Sequence, residues 1–174
     1  AGSGLNSDSD LTIIANELEE INNSIVQLVN VKTSDRYTFS GLNNEAPISV
    51  QNDGTVLFNG VNVDEILDTD LKDDSIFIDV GIGMKFNNDP LDESSVVKLN
   101  TSAIQLLGYG KNSQGIPNNL VSMLNKAVKD LKSGDVSQLS NYQNQLKESN
   151  DRLLIQVTDI GTRYAYLETT INRL

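Results

Sequence analysis

The sequence predicts an α+β fold in which long antiparallel helices form a discontinuous, coiled-coil-like stalk and a small β domain is inserted between them. Three observations predict it: apolar residues at helical spacing near both ends, short β-type runs with turn signals between them, and 38% hydrophobic residues over 174 positions. The predicted stalk comprises residues 5–34 and 113–174, and the β domain residues 35–112. Residues 1–4, Ala-Gly-Ser-Gly without an initiating Met, resemble a tag remnant and are excluded from the fold.

The first helix is predicted by six apolar residues that recur at steps of three and four. These are Leu11, Ile14, Leu18, Ile21, Ile25 and Leu28. This period places the side chains along one face of a helix, which we expect to run from about residue 9 to about residue 31. Ser7 and Asp10 have the spacing of an N-terminal capping box, with Asp in place of the usual Glu.

The last helix is predicted by a longer apolar seam of the same kind. Its members are Leu153, Val157, Ile160, Tyr164, Leu167, Ile171 and Leu174, preceded by Leu139, Tyr142 and Leu146. A helix from about residue 136 to residue 174 would be about 57 Å long, and its seam is still apolar at Leu174, so we expect it to continue further. We expect Leu153, Val157, Ile160, Tyr164 and Leu167 to form the core of the rod by packing against Leu11, Leu18 and Ile25.

A third amphipathic helix is predicted between Pro117 and the Ser133-Gly134 pair. One face carries Leu120, Leu124, Ala127 and Leu131, flanked by Met123 and Val128. We expect it to fold back on the last helix as a helical hairpin and to complete one bundle with both terminal helices.

The middle of the chain carries short β signals. The run Thr55–Phe58 lies between Asp53-Gly54 and Asn59-Gly60, and Asn-Gly is the favoured two-residue hairpin turn. Further short strands are expected at residues 75–79 and at Val96-Val97.

Composition excludes several functional classes. The chain has no Cys and no His, which excludes disulfides, thiolate zinc sites and His-dependent nucleophile systems. A net charge of −11 and a pI near 4.3 repel phosphate backbones and anionic membrane surfaces, so we expect no nucleic-acid or membrane partner. No apolar run is long enough to span a bilayer. We therefore predict no catalytic residues.

Two motifs could suggest a ligand, and both depart from the pattern that such a ligand needs. Gly81-x-Gly83 resembles a dinucleotide loop, but Phe86 occupies the third glycine position and no helical pattern follows. The acidic stretch is not an EF-hand loop, because Lys72 and Asp73 occupy a ligand position and the turn-glycine position. Its acids are Asp68, Asp70, Asp73, Asp74 and Asp79. We predict no cofactor and no bound metal.

Several short stretches occur in an order that resembles a known family. Ile14–Leu18, Asn30 and Arg36-Tyr37-Thr38-Phe39-Ser40-Gly41 are similar to the end of the N-terminal helix and the turn that follows it in the flagellin superfamily of bacterial axial proteins. The turn resembles the hook–filament junction branch of that superfamily, in which Arg36, Tyr37, Phe39 and Gly41 correspond to the motif. Further similar stretches are 56–60, 79–84, 107–110, 160–163, 167–168 and 172–174.

This resemblance implies a structural role and no enzyme activity. It implies a core fragment, lacking both terminal segments, of a subunit that connects the flagellar hook to the filament. Implied partners are hook-associated protein type 1, flagellin, an export chaperone and further copies of the chain in a ring. Implied location is the extracellular flagellum, reached by the flagellar type III export system. Because the polymerising termini would be absent, we expect this chain to be monomeric in solution.

Two alternatives remain open from the sequence. A flagellin-like filament subunit would share the same stalk. A surface carbohydrate-binding or adhesive module would use the β domain, with Tyr37, Phe58 and Tyr109 as its aromatic contributors.

Overall fold

The computed structural model describes residues 7–71, 76–79, 84–86 and 96–173. Helix accounts for 52% of the described residues, and the sheets are small and antiparallel. The helices are α1 (Asp8–Val29), α2 (Ala103–Leu107), α3 (Leu120–Lys132) and α4 (Leu139–Arg173), with a 3-10 turn at Asp68–Asp70. The strands are β1 (Lys32–Thr33), β2 (Arg36–Tyr37), β3 (Ile48–Val50), β4 (Val56–Phe58), β5 (Val61–Asn62), β6 (Phe77–Asp79) and β7 (Val96–Lys98).

Helix α1 begins and ends at polar caps. The Ser7 hydroxyl accepts a hydrogen bond from the Asp10 backbone N–H at 3.2 Å, which confirms Ser7 as the N-cap, and it donates one to the Asp10 carboxylate at 2.7 Å in place of the backbone contact of a capping box. At the other end, the side-chain amide of Asn30 donates to the carbonyl of Ile48 at 2.7 Å and accepts from its N–H at 3.0 Å. Asn30 therefore ties the end of α1 to the start of β3.

Helix α1 packs along α3 through a face that overlaps the predicted one in part, since Leu11 is buried and Ile14, Leu18 and Ile25 are half-buried. Leu11, Ala15, Asn22 and Val29 are its buried residues, and the last three are spaced by seven. Asn22 donates to the Val121 carbonyl at 3.2 Å and to the Asn125 side chain at 2.8 Å. The buried row includes the small residue Ala15 and the polar residue Asn22. A search for apolar residues at helical spacing therefore assigns the neighbouring Ile21 and Leu28 to the buried face instead. Both are exposed.

Helix α3 is the centre of the helical layer. All six predicted apolar positions of this helix are buried, which confirms the predicted face. Its N-cap is Asn119, two residues after Pro117, so Pro117 precedes the helix. The Asn119 side chain accepts from the Ser122 N–H at 3.1 Å and donates to the Gly108 carbonyl at 2.8 Å. Pro117 instead pairs with Lys111 in a β-bridge.

The main hydrophobic cluster joins the strands to the helices. It contains Ile48, Val56 and Val63 from the β region together with Leu107 from α2 and Met123 from α3. A smaller cluster joins the first half of α1 to the second half of α3 through Leu11, Ala15, Val128 and Leu131.

The β elements match the local turn chemistry. Strands β3, β4 and β5 form an antiparallel meander, and Asn59 and Gly60 between the last two have positive φ angles of 48° and 85°. This confirms the predicted Asn-Gly hairpin turn. The predicted strands at 75–79 and at Val96-Val97 are β6 and β7, which pair with each other.

Some residues named in the sequence analysis lie outside the described residues. These are Gly81, Gly83, Asp73, Asp74, Leu174 and residues 1–4.

Candidate assembly surface

Helix α4 is held to the rest of the protein by Arg163. Its guanidinium donates to the carbonyls of Lys98 and Asn100 at 3.2 and 3.1 Å and to the Thr101 hydroxyl at 2.7 Å. The side chain is only 16% exposed and forms an ion pair with Asp159, one turn earlier, at 2.6 Å. Arg163 thus satisfies backbone carbonyls at the end of strand β7 and just after it, which a leucine at this position could not do.

A second arginine, which lies earlier in α4, also donates hydrogen bonds to backbone carbonyls. Arg152 donates to the carbonyls of Leu107 and Asn118 at 3.1 and 3.4 Å. Burial lowers the pKa of this guanidinium from its usual value, because the charged form loses solvation. Both arginines therefore act as clamps between α4 and irregular backbone segments.

The first half of α4 also buries polar side chains. Gln145 and Ser149 are each 1% exposed, and Gln145 accepts a hydrogen bond from Asn112 at 3.2 Å. Among the described residues, the Gln145 Nε2 and Ser149 Oγ atoms have no hydrogen-bond partner. Nearby, the Tyr142 hydroxyl donates to the Asp130 carboxylate. Burial and this carboxylate raise the pKa of Tyr142 above its usual value.

The apolar seam of α4 lies largely in solvent. We name the set Leu153, Val157, Ile160, Tyr164, Leu167 and Ile171 the α4 stripe. Val157, Ile160, Tyr164 and Ile171 are 62%, 38%, 70% and 67% exposed. Leu167 is half-buried, and Leu153 is half-buried against the main core cluster. The stripe is therefore an apolar surface that the described part of this chain covers only at its edge.

Val157, Tyr164 and Ile171 are exposed because the covered face of α4 is rotated away from them, while the stripe residues Leu153 and Leu167 lie at its edge. Gln156, Arg163 and Thr170 are half-buried, and each directly precedes a stripe residue. One residue corresponds to a rotation of about 100° around a helix. The hydrogen bonds of Arg152 and Arg163 to backbone carbonyls fix the rotation of α4 about its axis. Most of the stripe is therefore turned toward solvent.

The prediction that the stripe packs against α1 is wrong. Helix α4 contacts α2, α3 and β7, whereas α1 contacts α3. Val157, Ile160 and Tyr164 are exposed, while Leu11 is buried and Leu18 and Ile25 are half-buried on α1. The physical reason is that α3 and the core cluster already cover Leu11, Leu18 and Ile25, the residues expected to receive α4.

The Arg36–Gly41 motif forms a small structured turn. Arg36 and Tyr37 form β2, which pairs with β1, and the Lys32 ammonium lies 4.6 Å from the centre of the Tyr37 ring. Phe39 is half-buried against the core, and its carbonyl accepts from the Ala103 N–H at 2.8 Å. Gly41 has a φ of 69°, which favours glycine. The motif connects the end of α1 to the start of α2.

The three aromatic residues of the carbohydrate alternative do not form one surface. Tyr37 lies under Lys32, and Tyr109 donates to the Asp68 carboxylate at 2.7 Å, an interaction that raises the Tyr109 pKa. Of the three, only Phe58 lines the cleft beside the β4–β5 turn, strand β7 and α2. In the described ranges, no group of three or more acidic side chains is placed to hold a metal ion.

The stripe has the residue pattern of a coiled-coil interface. Val157, Tyr164 and Ile171 occupy one core position of the heptad, and Leu153, Ile160 and Leu167 occupy the other. β-branched residues at the first position with leucine at the second favour two-stranded packing, a pattern that the stripe follows except at Tyr164 and Ile160. The neighbouring Leu154 and Ile155 are also exposed. An apolar surface of this kind on a helix is suited to binding another helix.

Comparison with known proteins identifies no relative. No protein-family model, no curated protein and no solved structure matches this chain. None of the described helices combines the length and the apolar character needed to cross a membrane.

Proposed function

We propose that this chain is a structural subunit of the bacterial flagellum that connects the hook to the filament, equivalent to hook-associated protein type 3. The exposed α4 stripe is the observation that supports this proposal most strongly. A subunit of a helical assembly needs apolar helix surface for its neighbours, and four stripe residues provide it. The proposal also rests on the resemblance of the Arg36–Gly41 turn and of the segments that follow it.

The proposed architecture is a discontinuous stalk, residues 5–34 and 113–174, with residues 35–112 projecting outward as a β domain. In this arrangement α4 lies along the axis of the assembly, and neighbouring axial helices cover its stripe. The arginine clamps transmit force from α4 to the rest of the chain, because Arg163 joins the helix to two carbonyl groups at and just after the end of β7 and Arg152 joins it to the carbonyl groups of Leu107 and Asn118. The proposed partners are flagellin, hook-associated protein type 1 and further copies of the chain.

Electron microscopy of cells that lack the encoding gene tests this role. We expect bare hooks, with monomeric flagellin released into the medium, because filaments cannot attach without a junction. Normal flagella would contradict the proposal. Absence of flagellin from both the cell surface and the medium would instead favour a filament subunit. Complementation with the intact gene is the control that assigns either phenotype to this chain.

A further inference from the structure

A cleft lies between the β4–β5 turn, strand β7 and the beginning of α2. Its volume is about 500 Å³, within the range of roughly 300–1,000 Å³ that is typical of small-molecule sites. Phe58, Ile66 and Ile104 supply apolar wall, and Leu42 and Val61 extend that wall at exposed positions. The cleft can therefore cover the apolar face of a small ligand.

Hydrogen-bond donors in the cleft lack protein partners. In the part of the chain that the structure describes, no partner is found for the Asn43 Nδ2, the Gln105 Nε2 or the Lys98 Nζ atom. Gln105 is nevertheless held in place, because its Oε1 atom accepts from the Ser102 N–H at 3.0 Å. The Gln105 Nε2 donor therefore belongs to a side chain whose position is fixed.

Acceptors are also present. The Asn59 side chain lines the cleft, and its Oδ1 atom has no hydrogen-bond partner among the described residues; because that atom is buried, a ligand donor reaches it only when the side chain rotates toward the cleft. Asp70 is fixed through one carboxylate oxygen, which accepts from the Leu67 N–H at 2.9 Å. The cleft thus offers both donors and acceptors above an apolar wall.

We propose that this cleft binds a neutral saccharide. One carboxylate, Asp70, and one ammonium, Lys98, balance each other, and the net charge of −11 on the chain disfavours an anionic ligand. Side-chain amides donate and accept at once, which matches the hydroxyl groups of a sugar. The apolar wall matches the C–H face of a pyranose ring, for which Phe58 provides an aromatic contact. This inference is independent of the flagellar proposal.

Saturation-transfer NMR and calorimetry with the methyl glycosides of glucose, galactose, mannose and N-acetylglucosamine test the proposal. We expect at least one glycoside to bind. Asn59→Gly should weaken its affinity by about tenfold, because a buried acceptor is lost while glycine preserves the positive φ of the turn. Lys98→Met should weaken it as well, through loss of a donor without loss of the aliphatic stem.

Asn52→Gly is the matched control, because Asn52 is an exposed turn residue of the same sheet and does not line the cleft. Its affinity should equal that of the parent protein. The proposal is overturned if no glycoside binds the folded protein, or if binding persists unchanged in Asn59→Gly and Lys98→Met. It is also overturned if neutral peptides, rather than glycosides, compete for these residues.

Discussion

Replacing Val157, Tyr164 and Ile171 together by glutamine is expected to abolish attachment of filaments to hooks while leaving the fold intact. These side chains are 62%, 70% and 67% exposed, so their removal should change the free energy of unfolding by less than about 1 kcal/mol. Glutamine is a good helix former and is polar. The variant should therefore lose only the apolar surface that neighbouring helices would cover. Urea denaturation measures the first expectation, and electron microscopy of complemented deletion cells measures the second.

The matched control replaces Thr158, Thr162 and Thr169 by glutamine. These threonines are exposed on the same stretch of α4 but lie on the face away from the stripe. We expect this control to restore normal flagella. If both triple variants restore attachment equally, the stripe has no role in assembly. If the stripe variant unfolds, these three side chains stabilise the fold of the single chain, which would contradict their exposure.

Replacing Gly108 by alanine is expected to destabilise the protein by roughly 3 kcal/mol or more. Gly108 has φ 86° and ψ 174°, a region that is essentially restricted to glycine. A Cβ atom there would lie 2.7 Å from the Asn118 carbonyl oxygen and 2.6 Å from the Arg152 guanidinium. The substitution therefore combines backbone strain with displacement of one arginine clamp.

Gly161→Ala is the control, because this substitution is expected to raise the stability of the protein rather than lower it. Gly161 lies within α4, and apart from its chain neighbours and the adjacent backbone of the helix no described atom lies within 4 Å of the position that its Cβ would take. Alanine in a helix interior is favoured over glycine by about 0.5–1 kcal/mol, so this variant should be more stable than the parent. Thermal and urea unfolding of both variants measure the difference. A Gly108→Ala protein as stable as the parent would contradict the described packing of α4 on Gly108.

Features that depend on local chemistry could be predicted from the sequence. The capping pair of Ser7 and Asp10, the apolar face of α3 and the turn at Asn59-Gly60 each depend on residues only a few positions apart. Such short-range patterns determine backbone conformation directly. The predicted boundaries of α1 and α4 also lie within three residues of those in the structure, from the same periodicity.

Features that depend on distant contacts could not be predicted in this way. The periodicity identified an apolar stripe on α4 but could not show which side of the helix contacts the rest of the protein. That choice depends on Arg152 and Arg163, whose targets are backbone carbonyls far away in the chain. A prediction based on the pattern of apolar residues places every arginine on the exposed face of a helix, so it does not identify these two as contacts with the rest of the protein. Helix α2 was missed for a related reason, because its five residues are too few to show a helical period.

The most direct test of the assembly proposal is photo-cross-linking at Tyr164 in intact flagella. Tyr164 is replaced by p-benzoylphenylalanine, and the same replacement at Tyr166 is the control. Tyr166 is also exposed but lies about 200° around the helix from Tyr164. We predict that irradiation joins the Tyr164 variant to a second copy of the chain, to flagellin or to a hook-associated protein, identified by mass spectrometry, with much less product at Tyr166. Absence of any such product at Tyr164, or equal products at both positions, would contradict an assembly role for the α4 stripe.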